Sequence, residues 1–248
     1  MIRAAVLADG DGSKLQAILD AMYFREIPDF DLAAVIVPRK DTYAITRAVG
    51  MGIPAYTVDP ELFPTATSHS LAISNKLKDM DIDLVILAGY ELPLGVIPYQ
   101  FKNSIIGTIP CLYPSFSEGS DDPCVSALEL GLKITGATAY LCDGDGGVGG
   151  IILQKAVEIL PEDTPDSLRR RITEDAEWDL LTQSVKLFCS DRLSVQGRRV
   201  VILPEGQKAQ MIRKVPSVAP RPVPEAASTG IRPPQKAGMK KPQPAKKK

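Results

Sequence analysis

Apolar residues fall along this chain in two rhythms. Residues 3–8 (RAAVLA), 31–38 (DLAAVIVP) and 83–89 (DLVILAG) are short, nearly unbroken apolar runs, and 53–58 (IPAYTV) is a shorter one. Between them the spacing changes. In SKLQAILDAM (13–22) the apolar residues Leu15, Ile18, Leu19 and Met22 share one helical face, with Ser13 placed to cap the first turn. DTYAITRAVGMG (41–52) reads as a second helix with a glycine stop, and LAISNKLKDM (71–80) as a third. Continuous apolar strands separated by helices predict a sheet buried on both faces, and therefore a parallel one. The fold class is α/β, a doubly wound, mostly parallel, Rossmann-like sheet.

The second half changes character. KITGATAYLC (133–142) and GIILQKAVEI (150–159) follow each other through a glycine-rich turn with no helix between them, which predicts an antiparallel extension. One long amphipathic helix is expected from about Thr164 to Cys189, with Pro165 in its first turn. RLSVQGRRVVI (192–202) closes as a hairpin with Gly197 at the turn. Residues 1–205 are thus one domain. Residues 206–248 are rich in proline and lysine, with too little apolar surface to offset the ordering entropy, and are expected to be a disordered basic tail.

Charge sharpens that division. The 248 residues carry a net charge of -1, but 208–248 holds eleven Lys or Arg against the single acid Glu225, a balance of +10, which leaves -11 for the rest. Such a tail could meet RNA, another anionic surface or a protein. No apolar run approaches the roughly 18 residues of a membrane span, and a cytoplasmic protein is expected. Cys111, Cys124, Cys142 and Cys189 form no C-x-x-C pair and read as buried or incidental thiols. His69, the single histidine, lies in the polar run TATSHS and reads as a solvated loop residue. The stretch DGDGG from Asp143 imitates a calcium loop, but the position of its bidentate Glu is Gln154, so no metal is expected.

Two segments are placed for chemistry. Gly10, Asp11, Gly12, Ser13 and Lys14 lie between a buried strand and a helix start, where backbone N–H groups and the helix dipole favour an anion such as the phosphate of a small molecule. IIGTIPCLYPSF (105–116) runs from a strand into a proline-bracketed loop, the usual position of an α/β active site, yet none of its side chains can serve as a base.

Collinear motifs give that contrast a meaning. VLADGDGSKLQAILDA (6–21), DLVILAGY (83–90), IPCLYP (109–114), GIILQKAV (150–157), the pair Glu177–Trp178 and LSVQGRRV (193–200) together resemble the glycinamide ribonucleotide formyltransferase family. The resemblance implies transfer of a formyl group from 10-formyltetrahydrofolate to a phosphoribosyl glycinamide amine. It also implies an Asn and a His in an N-x-H-P-S strand end and an Asp in a D-x-G-P-I-I-L-Q turn. Gly107, Ile109 and Gly147 occupy those three positions here. In the phosphate loop Gly10, Gly12 and Ser13 match, whereas Asp11 and Lys14 replace family Asn residues. Glu177 matches the acid that holds the substrate amine, although a Glu on so charged a helix could equally be solvated. Tyr90, Glu91, Leu92, Pro93 and Leu94 stand where the family has a cationic folate-binding turn, and a family Arg falls at Ala66.

These departures imply a formyltransferase-fold protein impaired in catalysis, acting as a binding or regulatory module and needing no cofactor. The competing expectations are an active, rewired glycinamide ribonucleotide formyltransferase that uses 10-formyltetrahydrofolate, and a protein whose basic tail is the working part. The sequence leaves the oligomeric state open.

Overall fold

The computed structural model describes residues 1–116 and 122–209. The basic tail lies outside the described residues from residue 210 onward. Nine strands form one sheet in the order β3-β2-β1-β4-β5-β6-β7-β9-β8. The parallel half consists of β1 (Ile2–Ala8), β2 (Phe30–Val37), β3 (Ala55–Thr57), β4 (Leu84–Ala88) and β5 (Ile105–Ile109). Each of β1, β2 and β4 is buried along most of its length, as expected of strands covered on both faces. Then the direction reverses. β6 (Ile134–Cys142) pairs antiparallel with β5 and with β7 (Val148–Glu158), and the hairpin of β8 (Leu193–Gln196) and β9 (Arg199–Ile202) closes the edge. Gly197 makes that hairpin turn with φ of 64°.

Helices cover both faces. α1 (Ser13–Tyr23), α2 (Tyr43–Gly50) and α7 (Trp178–Cys189) pack on one face, where Leu15, Ile18, Leu19, Leu181 and Val185 meet Val6, Val35 and Ile86. α3 (Ala66–Asp79) and the short α4 (Ile97–Gln100) cover the other, where Ile73, Leu77 and Ile97 meet Leu7, Val85 and Ile105. A smaller cluster joins α5 (Pro123–Glu129) and α6 (Pro165–Ile172) to β6 and β7.

Three local expectations change. Ser13 does not cap α1: it is the first helical residue, and the residue before it is Gly12, in the left-handed region with no side chain to offer. His69 is not in a solvated loop. A capping box between Thr65 and Ser68 starts α3 one turn before the apolar repeat begins, which turns His69 inward to 3% exposure, where its Nε2 is 2.9 Å from the Val58 carbonyl. The expected single helix to Cys189 is divided: α6 and α7 are joined by a π turn, Thr173–Glu177, whose wider winding brings Ala176 and Glu177 inward together.

Candidate functional site

Strand order runs outward in both directions from β1 and β4, so the switch point of the sheet lies between their carboxyl ends, where a doubly wound fold leaves a crevice. An open cleft of about 610 Å³ occupies that position. One wall comes from the glycine loop after β1 and from α6, the π turn and Trp178; the other comes from Leu87, Tyr90, Ile109 and Tyr140.

The loop wall is crowded with charge that is already engaged. Lys14 Nζ donates to Glu177 Oε1 at 2.6 Å, the Thr108 hydroxyl donates to the same oxygen at 2.8 Å, and the Thr173 hydroxyl donates to Oε2 at 2.9 Å. Glu177 is 1% exposed, so this carboxylate is desolvated and held by three donors rather than solvated on a helix surface. The loop amides are engaged as well. Gly10 N–H donates to Asp9 Oδ1 at 2.7 Å and Ser13 N–H to Asp11 Oδ1 at 2.9 Å, so two carboxylates of the chain sit on amides suited to an anion. Arg47 braces the loop from α2, donating to the Asp11 carbonyl, and Arg39 pairs with Asp9. Gly12 is packed too closely for a side chain, since a Cβ there would lie 2.9 Å from Ala44 Cα. It therefore shapes the loop without bordering the cleft.

The opposite wall is neutral apart from Glu91 at its edge. Tyr90, on the loop after β4, has a buried hydroxyl with no hydrogen-bond partner, and burial followed by the nearby Asp9 carboxylate pushes its pKa well above the usual phenol value. Tyr140 is 8% exposed, and burial first, then Cys142, Asp143 and Glu177, pushes its pKa up in the same way. Both phenols stay protonated and can donate. At the rim, Trp178 also has a buried indole N–H without a partner.

The three positions expected to lack reactive groups separate here. Ile109 borders the cleft. Gly107 lies beneath it: a Cβ there would come within 3.0 Å of the Tyr140 hydroxyl and 3.1 Å of Tyr140 Cζ. Gly147 sits in the exposed β6–β7 turn, where its N–H donates to Asp143 Oδ1 at 2.8 Å. Asp143 is used by that turn and Asp145 accepts from Tyr99, so neither reaches the cleft. Of the other expected ligand residues, Gly10, Asp11, Ser13, Lys14, Glu177, Tyr90 and Glu91 border the cleft, while Leu92, Pro93 and Leu94 do not.

Sequence reasoning missed Tyr140, Thr173, Arg169 and Arg170. The strand DLVILAG and the loop after it are local signals, but Tyr140 reaches Gly107 only through the β5–β6 pairing, and β6 carries two register shifts against β7 that no local pattern announces. The four thiols are buried, as read from the sequence; burial pushes Cys111 and Cys124 up to about 11, and neither acts as a nucleophile at neutral pH. Among the described residues no three His, Cys, Asp or Glu side chains converge as a metal site, and no helix is long and apolar enough to cross a membrane.

Fold and cleft define a doubly wound α/β protein with a glycine loop at its switch point. The chain belongs to the formyl transferase family, whose model matches residues 2–185. It is 32% identical over 181 residues to the trifunctional purine biosynthetic protein adenosine-3 of Drosophila melanogaster, covering 71% of this chain but only 13% of that longer protein. It is 29% identical over 197 residues to the phosphoribosylglycinamide formyltransferase of Haemophilus influenzae, covering 79% of this chain and 91% of the relative. The crystal structure of glycinamide ribonucleotide transformylase 1 from Symbiobacterium toebii superposes with a TM-score of 0.77 at 39% identity, covering 82% of this chain and 95% of that one.

Proposed function

We propose that this protein is a cytoplasmic formyltransferase homologue that binds a phosphorylated small molecule in the cleft while transferring formyl groups far more slowly than relatives with the full polar trio. One observation carries the reading. The chain's only imidazole, His69, is buried in α3 away from the cleft, and the cleft's one buried carboxylate, Glu177, is saturated by Lys14, Thr108 and Thr173. Among the described residues the other carboxylates that border the cleft, Asp9, Asp11, Glu91, Asp166 and Glu174, lie on the glycine loop, the loop after β4, α6 and the π turn, away from the strand-end and β6–β7 turn positions of the family trio. General acid–base assistance is worth about 10²- to 10⁴-fold, so its loss removes much of the rate.

On the loop side, Ser13 N–H and Lys14 support a phosphate site once it competes with Asp11 and Glu177 for them. 10-Formyltetrahydrofolate, the expected donor in this family, supplies the formyl group when bound. Leu87, Ile109, Tyr90 and Tyr140 offer an apolar wall with phenol donors that suits its flat ring, and Arg169 and Arg170 at the rim suit its carboxylates. Glu91 on the same rim opposes them, which favours weak binding.

Isothermal titration with glycinamide ribonucleotide and with inorganic phosphate, alongside a formyl-transfer assay, tests the reading. Heat of binding with transfer at background is expected; turnover within a hundredfold of an ordinary family enzyme overturns it. The reading of an active, rewired formyltransferase is favoured by the Tyr140 hydroxyl beside Gly107, and predicts that the chain supports growth of a purine auxotroph lacking its own formyltransferase.

A further inference from the structure

Gly107 and Tyr140 are directly opposed in the antiparallel pair β5–β6, so their side-chain directions share one face of the sheet. The Tyr140 ring uses that arrangement to lie across Gly107. A Cβ on residue 107 would sit 3.0 Å from the phenol oxygen, 3.1 Å from Cζ and 3.2 Å from Leu87 Cδ1, closer than ordinary contact allows with any of them. A side chain at residue 107 would therefore press on the phenol and on Leu87, which would have to give by a few tenths of an ångström. Among the described residues no hydrogen bond occupies the Tyr140 hydroxyl, and the residue borders the cleft beside Thr108 and Ile109. Nearby on the same wall the Tyr90 hydroxyl is buried and also without a partner. Leaving a buried donor such as the Tyr90 hydroxyl unmade costs about 1–3 kcal/mol, and Tyr140 adds an unoccupied hydroxyl on a residue that borders the cleft, so this wall is one that a ligand oxygen completes.

We propose that the Tyr140 phenol is the donor that holds the acyl oxygen of the bound ligand, projecting where a side chain on residue 107 would otherwise stand. The cleft then selects a formamide-bearing molecule over the same molecule without its formyl group. This rests on the reading of the cleft as a formyltransferase-type ligand site, and it adds the residue that recognises the acyl group. Leu87 and Ile109 exclude water from one side of the contact, which strengthens it.

The probes are 10-formylfolate and folate, which differ by that one group, titrated calorimetrically into the full-length protein. The wild type is expected to bind the formylated probe about five- to tenfold more tightly, the range of one hydrogen bond. Tyr140→Phe keeps the ring over Gly107 and removes only the donor, so it should bind both probes with the affinity the wild type has for folate. Gly107→Ala, whose methyl would push the phenol by a few tenths of an ångström, should weaken the preference. A preference that survives in Tyr140→Phe, equal affinities in the wild type, or binding of neither probe overturns the assignment. None of these results measures transfer, so their failure is separable from that of the proposed function.

Discussion

The two walls of the cleft solve opposite problems. The loop wall carries acids and bases that cancel one another: Glu177 against Lys14, Asp9 against Arg39, Asp11 on the amide of Ser13. The β4–β5–β6 wall is neutral apart from Glu91 at its edge and leaves the Tyr90 hydroxyl with nothing to bond. A desolvated charge must be paired, whereas a neutral hydroxyl can wait for a ligand at a cost of a few kcal/mol. The first wall therefore belongs to the stability of the fold as much as to binding, and the second is the one free to respond to a ligand.

Removing side chains from each wall should separate these roles. Glu177→Ala leaves Lys14 unpaired and two hydroxyls without their acceptor, and should cost about 3–5 kcal/mol in denaturant unfolding. A loss below about 1 kcal/mol would mean that the carboxylate is not held as described.

The next effect concerns α6, whose first turn is anchored by Asp163. Its carboxylate accepts from Arg171, Leu160 N–H and Ser167, and chiefly the Arg171 guanidinium lowers its pKa to about 2. A depressed folded-state pKa stabilises the fold above the ordinary carboxyl range, and that contribution disappears as pH falls through about 2. Asp163→Asn should lower stability at pH 7 by about 1.5–3 kcal/mol and flatten the acid limb of a melting-temperature profile between pH 4 and 2. An unchanged limb would place the acid sensitivity elsewhere.

Smaller changes test the neutral wall and the loop. Tyr90→Phe deletes a buried hydroxyl that bonds to nothing, so thermal stability should hold or rise by up to about 1 kcal/mol, the reverse of Glu177→Ala. Asp11→Asn keeps an acceptor for Ser13 N–H but removes the negative charge from the loop. Affinity for inorganic phosphate should rise about three- to tenfold at low salt, and the gain should shrink at 0.5 M salt, both read by calorimetry. A phosphate affinity indifferent to this change would remove the loop from the binding site.

Much of the fold was legible because its signals are local. Leu84–Ala88 could only be a doubly buried strand, Gly197 could only be a turn between β8 and β9, and the glycine loop stands where a strand meets a helix. His69 was misread because the box that starts α3 is made by Thr65 and Ser68, a polar signal hidden in a polar run. Glu177 was legible as a motif residue but not in its state, since its three donors come from α1, β5 and the π turn.

The residue order alone carries the alternation of buried strands and helices, the family motifs, and the absence of Asn, His and Asp at residues 107, 109 and 147. Packing of the folded chain is what sets Tyr140 over Gly107, keeps Gly147 away from the cleft, and binds Lys14 to an acid 163 residues away. The physical reason is range. Hydrophobic period and turn chemistry act over a few neighbours, whereas the pairing of charges and the filling of a missing side chain depend on which distant strands and helices the packed sheet sets side by side.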